Sequence, residues 1–357
     1  PSVIHTKAIK HQIKALVVNS GNANAGTGEE GEDAVLETIK IAASALGLSQ
    51  DQIAVASTGK IGEPLDMGMM GQGLVSLLGE KDQKNGDQIS EAILTTDLCA
   101  KSLDHVRDTG EAVVEIRGIT KGSGMIAPNM ATTLTFMVTN VALDSESLQS
   151  CLNASIDRSF NMVSVDTDTS TNDMALIFTT GKVSVSKEVF QSELDHVCIE
   201  LAKKIARDGE GATKLLEVHV TGAKDEGQAR QVAKQVVDSP LVKTAIYGQD
   251  PNWGRILAAA CKNPEIEIQL DSLQVWLGQY CLIQDGEPTG VARETLVPAL
   301  SGDTVTITVD FGFGSVFVEV FVGAVGISLP SKRELVEGSV VFSRGGCGGL
   351  GENSLNE

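Results

Sequence analysis

The sequence Lys-Gly-Ser-Gly-Met-Ile-Ala-Pro-Asn-Met-Ala-Thr-Thr-Leu at residues 121–134 predicts how the middle of the chain folds. Its glycines and its proline predict an irregular loop. It continues into Thr-Leu-Thr-Phe-Met-Val-Thr at residues 133–139, where β-branched and aromatic residues favour a strand. Thr132 and Thr133 therefore lie where a loop becomes a rigid element, a position that holds and exposes a nucleophile well. The alternative is that both threonines only suit the start of a strand.

Short apolar runs and amphipathic segments alternate on both sides of this segment. Residues 13–18 and 53–56 are compact apolar runs that predict buried strands. Residues 34–46 carry apolar side chains on one helical face, and Gly47 predicts the end of that helix. Ser186 is predicted to cap a second long amphipathic helix. This alternation agrees with a mixed α/β protein, although it does not define one.

Composition excludes some classes of protein. The chain has 357 residues and is 42% hydrophobic, which is enough for one large α/β unit or two sub-domains. A net charge of −19 argues against nucleic acid or an anionic membrane as a partner. No apolar run approaches the roughly 20 residues of a membrane-spanning helix. The six cysteines are scattered without a Cys-x-x-Cys pair, which predicts free thiols and no structural zinc.

Three polar segments are candidates for a site. Thr58 and Gly59 follow the strand at residues 53–56, and such a turn exposes N–H and hydroxyl donors that could stabilise an oxyanion, although ordinary turns look the same. Residues 161–173 place three aspartates among hydroxyl side chains but lack the Gly and the terminal Glu of an EF-hand, so we discount calcium and predict a polar turn that supports a site. Residues 243–255 predict a proline turn whose Trp, Arg and Asp fix a neighbouring loop.

Several motifs occur in one order along the chain. They are Val-Asn-Ser-Gly-Asn-Ala-Asn-Ala at residues 18–25, Ser-Thr-Gly at 57–59, Thr-Thr-Asp at 95–97, the block at 121–132, Asp-Thr-Asp-Thr-Ser-Thr-Asn-Asp at 166–173, Asp-Gly-Glu-Gly-Ala-Thr at 208–213, and residues 241–256. Each motif is weak alone, but together they are specific. With them the chain resembles the bifunctional ornithine acetyltransferases, also called glutamate N-acetyltransferases, of arginine biosynthesis.

The resemblance implies an α/β (mixed α+β) fold of layered sheets and helices, and a chain that cuts itself between Ala131 and Thr132. The products would be an α fragment, residues 1–131, and a β fragment, residues 132–357, that begins with the nucleophile. In this family the new N-terminal Thr is the nucleophile, which is Thr132 here. Thr58 and Gly59 would form the oxyanion hole.

The resemblance also assigns the substrate contacts to Thr95, Lys121, Thr132 and Glu210. Acetyl would pass from N-acetylornithine to Thr132 and then to glutamate, with no cofactor and no metal. Lys121 would face the α-carboxylate that both substrates share, and Glu210 would face the cationic end of ornithine. Self-cleavage supplies the base, because the freed α-amino group of Thr132 titrates at about 7.7–8.0. Some members also accept acetyl-CoA, and the sequence leaves that open.

The family further implies a heterotetramer of two α and two β fragments, no nucleic-acid or membrane partner, and a cytoplasmic location. A targeting peptide before Pro1 would instead direct the protein to an organellar matrix.

Three features depart from the family pattern. The family's N-terminal segment is absent, Thr167 stands where Gly is usual, and the sequence after about residue 310 does not resemble the usual substrate-binding ending. Two alternatives therefore stay open, a related aminopeptidase with an N-terminal nucleophile and a catalytically impaired homologue lacking the usual termini.

Overall fold

The computed structural model describes residues 1–79, 86–126, 133–266, 268–312, 316–325 and 340–344. Its α-helices are α1 (Ser2–Ala8), α2 (Gly28–Leu46), α3 (Met67–Gly79), α4 (Gly86–Ala92), α5 (Ser145–Arg158), α6 (Lys187–Arg207), α7 (Glu226–Val237), α8 (Pro240–Tyr247), α9 (Trp253–Ala260) and α10 (Arg293–Ser301). Its strands are β1 (Ala15–Asn22), β2 (Ile53–Lys60), β3 (Lys101–Asp108), β4 (Val113–Lys121), β5 (Leu134–Val141), β6 (Val163–Ser164), β7 (Met174–Val183), β8 (Ala212–Ala223), β9 (Gln274–Leu277), β10 (Tyr280–Gln284), β11 (Glu287–Pro288), β12 (Thr304–Asp310), β13 (Val316–Val325) and β14 (Val340–Arg344).

The strands within the described residues form three sheets. Their orders are β14-β1-β2, β3-β4-β5-β7, and β11-β10-β9-β12-β8-β13-β6. Parallel pairs (β1 with β2, β5 with β7) and antiparallel pairs (β3 with β4, β4 with β5) occur together. The mixed fold of layered sheets and helices is therefore confirmed.

The two smaller sheets pack face to face between layers of helices. Val17 of β1 lies in a core with residues of α2 and α3. Its neighbours Leu16 and Val18 point to the opposite face, as alternation along a strand requires, and share a core with Leu134 and Phe136 of β5. Residues of α5 and α6 cover the outer face of the four-stranded sheet. The order is thus helices, sheet, sheet, helices.

A larger core lies on the seven-stranded sheet. It joins buried residues of β8, β9, β10 and β12 with residues of α7, α8, α9 and α10. Helix α6 packs against both β4 and β13, so it connects this part of the chain with the four-stranded sheet.

The helix end predicted at Gly47 is confirmed. Gly47 ends α2 with a left-handed φ of 65°, a conformation that glycine adopts at little cost. Asp144 caps α5 by accepting a hydrogen bond from the Ser147 amide. Ser186 precedes α6 as predicted, although its hydroxyl donates to Glu111 rather than capping the helix.

The structure differs from the sequence predictions in three places. Thr58 and Gly59 belong to β2 rather than to a turn after it. Strand β3 was not predicted, because its polar and charged residues carry no strong apolar period. The proline turn predicted within residues 243–255 is shorter, since α8 and α9 occupy most of that range. Helix α7 ends at Val237, and Pro240 is the first residue of α8 after the capping Ser239.

The segment at residues 121–134 connects two paired strands. Lys121, the last residue of β4, lies opposite Leu134, the first residue of β5. The predicted cleavage bond between Ala131 and Thr132 lies outside the described residues, as does the Gly-rich tail at residues 345–349. Residues on both sides of that bond share one sheet, so the sheet would join the two fragments after a cut.

Within the described residues, no helix is long and apolar enough to cross a membrane.

Thr167 has a left-handed φ of 69°, which is unfavourable for a β-branched residue. We expect Thr167→Gly to raise the free energy of unfolding by about 0.5–1 kcal/mol, because glycine adopts this conformation without the clash of a Cβ. Thermal unfolding followed by circular dichroism measures the change. Thr169→Gly, made in the same exposed turn at a residue without a positive φ, should instead lower stability.

Candidate active site

The ammonium group of Lys121 is the centre of the candidate site. Its side chain is buried at the end of β4, with 2% of its surface exposed. Its Nζ donates to Thr95 Oγ1 at 2.7 Å and to Thr58 Oγ1 at 3.1 Å. An ammonium group has donors and no acceptor, so both hydroxyl oxygens must accept here. Each hydroxyl is therefore free to donate its own proton outward, as stabilisation of an anion requires.

Strand β2 places Thr58 by its register with β1. Ser20 pairs with Thr58 and Gly21 with Gly59 at the carboxyl ends of these parallel strands. Gly59 has a φ of 131°, and a Cβ built there would lie 2.2 Å from the carbonyl carbon of Gly21. Only glycine fits this approach, which fixes the backbone next to the Thr58 hydroxyl.

Asp97 links the two halves of the site. Its Oδ2 accepts from the Thr95 amide at 3.1 Å, and its Oδ1 accepts from the Gly122 amide at 2.7 Å. Oδ1 also accepts from Lys101 Nζ at 2.7 Å, and Oδ2 lies 4.0 Å from Lys121 Nζ. One buried carboxylate thus sets the backbone positions of both Thr95 and the residue after Lys121.

Lys101 joins Asp97 to Asp208. Its Nζ lies 2.5 Å from Asp208 Oδ2 and 2.7 Å from Asp97 Oδ1, and its side chain is 1% exposed. Asp208 Oδ2 also accepts from the Leu98 amide at 2.9 Å. Two lysines and two aspartates therefore form a buried network behind the site, which we call the charge network (Asp97, Lys101, Lys121, Asp208).

The charge network changes the protonation of its members. Burial alone would raise the pKa of Asp97, but the positive charges of Lys121 and Lys101 outweigh it and hold that pKa below its ordinary value. Burial lowers the pKa of Lys121, while the negative charges of Asp97, Asp173 and Glu210 oppose this shift.

Glu210 lies at the open side of the site. It is exposed, and its amide donates to Ser123 O at 3.0 Å. A Cβ built on Gly124 would lie 2.5 Å from Glu210 Oε1, so the carboxylate rests on the bare backbone of Gly124. Ser123 in turn donates to Asp208 O at 2.7 Å. The glycine-containing loop after Lys121 thus seats the carboxylate.

Asp173 lies beside the start of β5. Its Oδ1 accepts from the Thr133 amide at 2.8 Å. Its Oδ2 is buried and has no hydrogen-bond partner among the described residues. Burial raises the pKa of Asp173 to about 8. The hydrogen bond from the Thr133 amide, the positive charge of Lys121 and the Ser170 hydroxyl each lower this pKa but do not outweigh burial. A titratable carboxyl therefore lies next to the residue that follows Thr132 in the chain.

The structure brings four of the predicted site residues together. Lys121 contacts Thr58 and Thr95, and Glu210 is close enough to shift the pKa of Lys121. Gly59 follows Thr58 in β2. Ala131 and Thr132 lie outside the described residues.

Sequence reasoning assigned no role to Lys101, Asp97 or Asp208. Asp97 and Asp208 belong to the motifs at residues 95–97 and 208–213, so the sequence marked their segments. Their connection through Lys101 was not predictable, because Lys101 and Asp208 are 107 residues apart and no periodicity relates them. In the described part of the chain, no group of three or more His, Cys, Asp or Glu side chains could hold a metal ion. The five described cysteines are free, and Cys347 lies outside the described residues.

Comparisons with known proteins agree on one family. A model of the ArgJ family matches residues 1–323. The arginine biosynthesis bifunctional protein ArgJ of Gloeobacter violaceus is 44% identical over 311 residues, which cover 84% of this chain and 76% of that protein. The protein of the same name from Bartonella quintana is 42% identical over 328 residues, covering 88% and 79%. A crystal structure of the arginine biosynthesis bifunctional protein ArgJ from Bacillus halodurans is similar with a TM-score of 0.51 and 37% identity, covering 54% of this chain and 94% of that one.

Proposed function

The chain belongs to the ArgJ family of arginine biosynthesis, and we propose on that premise that it transfers acetyl from N-acetylornithine to glutamate through Thr132. The observation that carries the proposal is the pair of hydroxyls of Thr58 and Thr95 on the buried Lys121 ammonium, beside the strand that Thr132 precedes. A buried cation that directs two hydroxyl protons outward suits chemistry that develops a negative charge on oxygen.

Self-cleavage comes first. The Thr132 hydroxyl attacks the Ala131 carbonyl, so that an oxygen–carbon bond forms, the peptide carbon–nitrogen bond breaks, and the hydroxyl proton ends on the released nitrogen. Water then hydrolyses the ester. This leaves a carboxylate on Ala131 and a free α-amino group on Thr132, which titrates at about 7.7–8.0 and can serve as a base near neutral pH.

Acetyl transfer uses the same groups. The α-amino group takes the hydroxyl proton of Thr132 as its oxygen attacks the acetyl carbon of N-acetylornithine, and the proton then passes to the departing amine of ornithine. Glutamate reverses these steps and leaves as N-acetylglutamate. Both steps pass through tetrahedral anions, for which Thr58 and Gly59 supply the donors. Lys121 contributes by turning the Thr58 hydroxyl proton toward the anion and by its own charge.

The substrate contacts follow from charge. Both amino acids carry an α-carboxylate, and the Thr95 hydroxyl on Lys121 offers it a donor backed by a buried positive charge. The exposed carboxylate of Glu210, seated on Gly124, faces the side-chain ammonium of ornithine. Replacing N-acetylornithine with acetyl-CoA in the assay tests whether the enzyme accepts a second acetyl donor.

The two fragments, residues 1–131 and 132–357, stay together because β4 and β5 pair across the cut from Ile116 to Lys121. Two such pairs of fragments form a heterotetramer, whose mass analytical sedimentation measures. The enzyme acts in the cytoplasm.

The test is ornithine release from N-acetylornithine with and without glutamate. Release that depends on glutamate, with equal N-acetylglutamate formed, supports the proposal. Hydrolysis of peptide amides without transfer would assign the chain to the aminopeptidases with an N-terminal nucleophile. A folded protein that does neither is a catalytically impaired homologue.

A further inference from the structure

Residues 127–132 contain the predicted cleavage bond and are called the cleavage segment. One carboxylate binds the chain immediately before this segment. Asp166 Oδ2 accepts from the Met125 amide at 2.6 Å, and its Oδ1 accepts from the Ile126 amide at 2.8 Å. The Val165 amide returns a bond to Ile126 O at 2.7 Å. Met125 has a φ of 58°, a left-handed conformation that the surrounding bonds must stabilise in a residue with a side chain. The chain is therefore fixed immediately before residues 127–132.

The downstream end is held by a second carboxylate from the same turn. Asp173 Oδ1 accepts from the Thr133 amide at 2.8 Å, and the Met174 amide donates to Thr133 O at 3.0 Å. Both polar groups of the Thr133 backbone are therefore bound. The chain is fixed again immediately after residues 127–132.

The turn that carries both aspartates is itself anchored on two sides. Asn172 donates to the carbonyl oxygens of Ser57 in β2 and of Ala23, the residue after β1, which ties the turn to both strands. Lys243 of α8 is buried, and its Nζ donates to Val165 O at 2.8 Å. The turn can therefore serve as a rigid support rather than a mobile loop.

We propose that Asp166 and Asp173 are positioning residues that form a carboxylate clamp on the two ends of the cleavage segment, with different duties. Asp166 acts in self-cleavage alone, whereas Asp173 acts in self-cleavage and in acetyl transfer. The inference rests on the proposed function, because it concerns the bond and the nucleophile assigned there.

The division of duties follows from what the cut releases. Attack of the Thr132 hydroxyl on the preceding carbonyl requires both to be held together, and fixing the chain on both sides of residues 127–132 removes much of the conformational freedom that opposes this. After the cut, the segment that Asp166 holds no longer connects to Thr132. Asp173 still holds the amide of Thr133, the next residue after the new terminus.

The charge of Asp173 is a second reason for its role after the cut, because the amide that it holds belongs to the residue after the new terminus. The charged group that faces it is Lys121, which in turn faces Asp97, Lys101 and Glu210. A neutral Asp173 leaves the amine its ordinary pKa, whereas an ionised Asp173 stabilises the ammonium form and raises that pKa. Burial raises the pKa of Asp173 to about 8 in the uncut chain, so the charge of this carboxyl can change near neutral pH.

The test follows self-cleavage and transfer separately in the full-length chain. Intact mass at timed intervals after synthesis gives the rate of cutting, and ornithine release is divided by the fraction cut. Asp166→Ala should be cut about tenfold more slowly, the effect of losing hydrogen bonds to a charged group, with unchanged transfer per cut chain. Asp173→Ala should lose about tenfold in both measurements.

Two further variants control for misfolding. Asp168→Ala removes a carboxylate of the same exposed turn whose side chain makes no described hydrogen bond to the segment, and it should be cut at the wild-type rate. Asp166→Asn keeps an acceptor oxygen and should recover part of the cutting rate. Asp173→Asn cannot ionise, so the acid limb of its transfer rate should move to lower pH than in the wild type.

The outcomes separate the clamp from the function. If the wild type is cut and Asp166→Ala is cut equally fast, or if Asp173→Asn keeps the wild-type pH profile, the clamp is wrong while the acetyltransferase assignment stands. A wild-type protein that is folded but never cut would overturn both.

Discussion

Thr132→Ala will stay a single chain of 357 residues and will release no measurable ornithine. The wild type will give two fragments, one that ends at residue 131 and one that begins at residue 132. The variant lacks the hydroxyl that attacks the Ala131 carbonyl, so the peptide bond persists. It also lacks the nucleophile and the free α-amino group for acetyl transfer. Because these losses coincide, we expect transfer to fall by at least about 10⁴-fold. Intact mass and ornithine release measure the two losses.

Two neighbouring variants decide whether this loss is specific to one hydroxyl. Thr132→Ser keeps the hydroxyl and should still be cut and active. Thr133→Val removes the adjacent hydroxyl but keeps the backbone amide that donates to Asp173, so it should be cut as well. If Thr132→Ala were cut at the same bond, the nucleophile would have to be another residue.

The sequence predicted the elements whose side chains repeat with a clear period. Helices α2 and α6 and strands β1 and β5 lie where apolar periodicity and helix-end signals indicated. Strand β3 was missed because it alternates weakly and gains its place from pairing with β4. Helix α10 was missed because Pro298 lies inside it, and tertiary packing of Leu296 and Leu300 overrides that signal.

The candidate site was also predicted only in part from the sequence. Thr58, Thr95 and Lys121 were singled out because a family resemblance marked them, and the structure adds that Lys121 holds both hydroxyls. The charge network behind them was not predictable, since Lys101 and Asp208 carry no motif that relates them. Buried ion pairs between distant segments depend on how sheets pack, which local patterns do not encode.

Removing the charge of Lys101 should have the largest effect on stability. Lys101→Met leaves the carboxylates of Asp97 and Asp208 buried without the ammonium that separates them. Loss of one partner of a buried ion pair costs about 3–5 kcal/mol, so we expect unfolding at a clearly lower urea concentration. Measuring it in the Thr132→Ala background keeps every sample a single chain, so that differences in self-cleavage do not enter.

Acidification provides an independent readout, and its sign follows from Asp97. The folded-state pKa of Asp97 lies below its unfolded value, so its ionised form adds stability above about pH 4, and this stability is lost as pH falls through the folded pKa. Without Lys101 that pKa rises, so Lys101→Met should unfold at a higher pH. Lys40→Met removes a lysine from an exposed pair with Glu37, 3.3 Å apart, and should change stability by no more than about 1 kcal/mol. If Lys101→Met were as stable as Lys40→Met across this pH range, the charge network would not support the site.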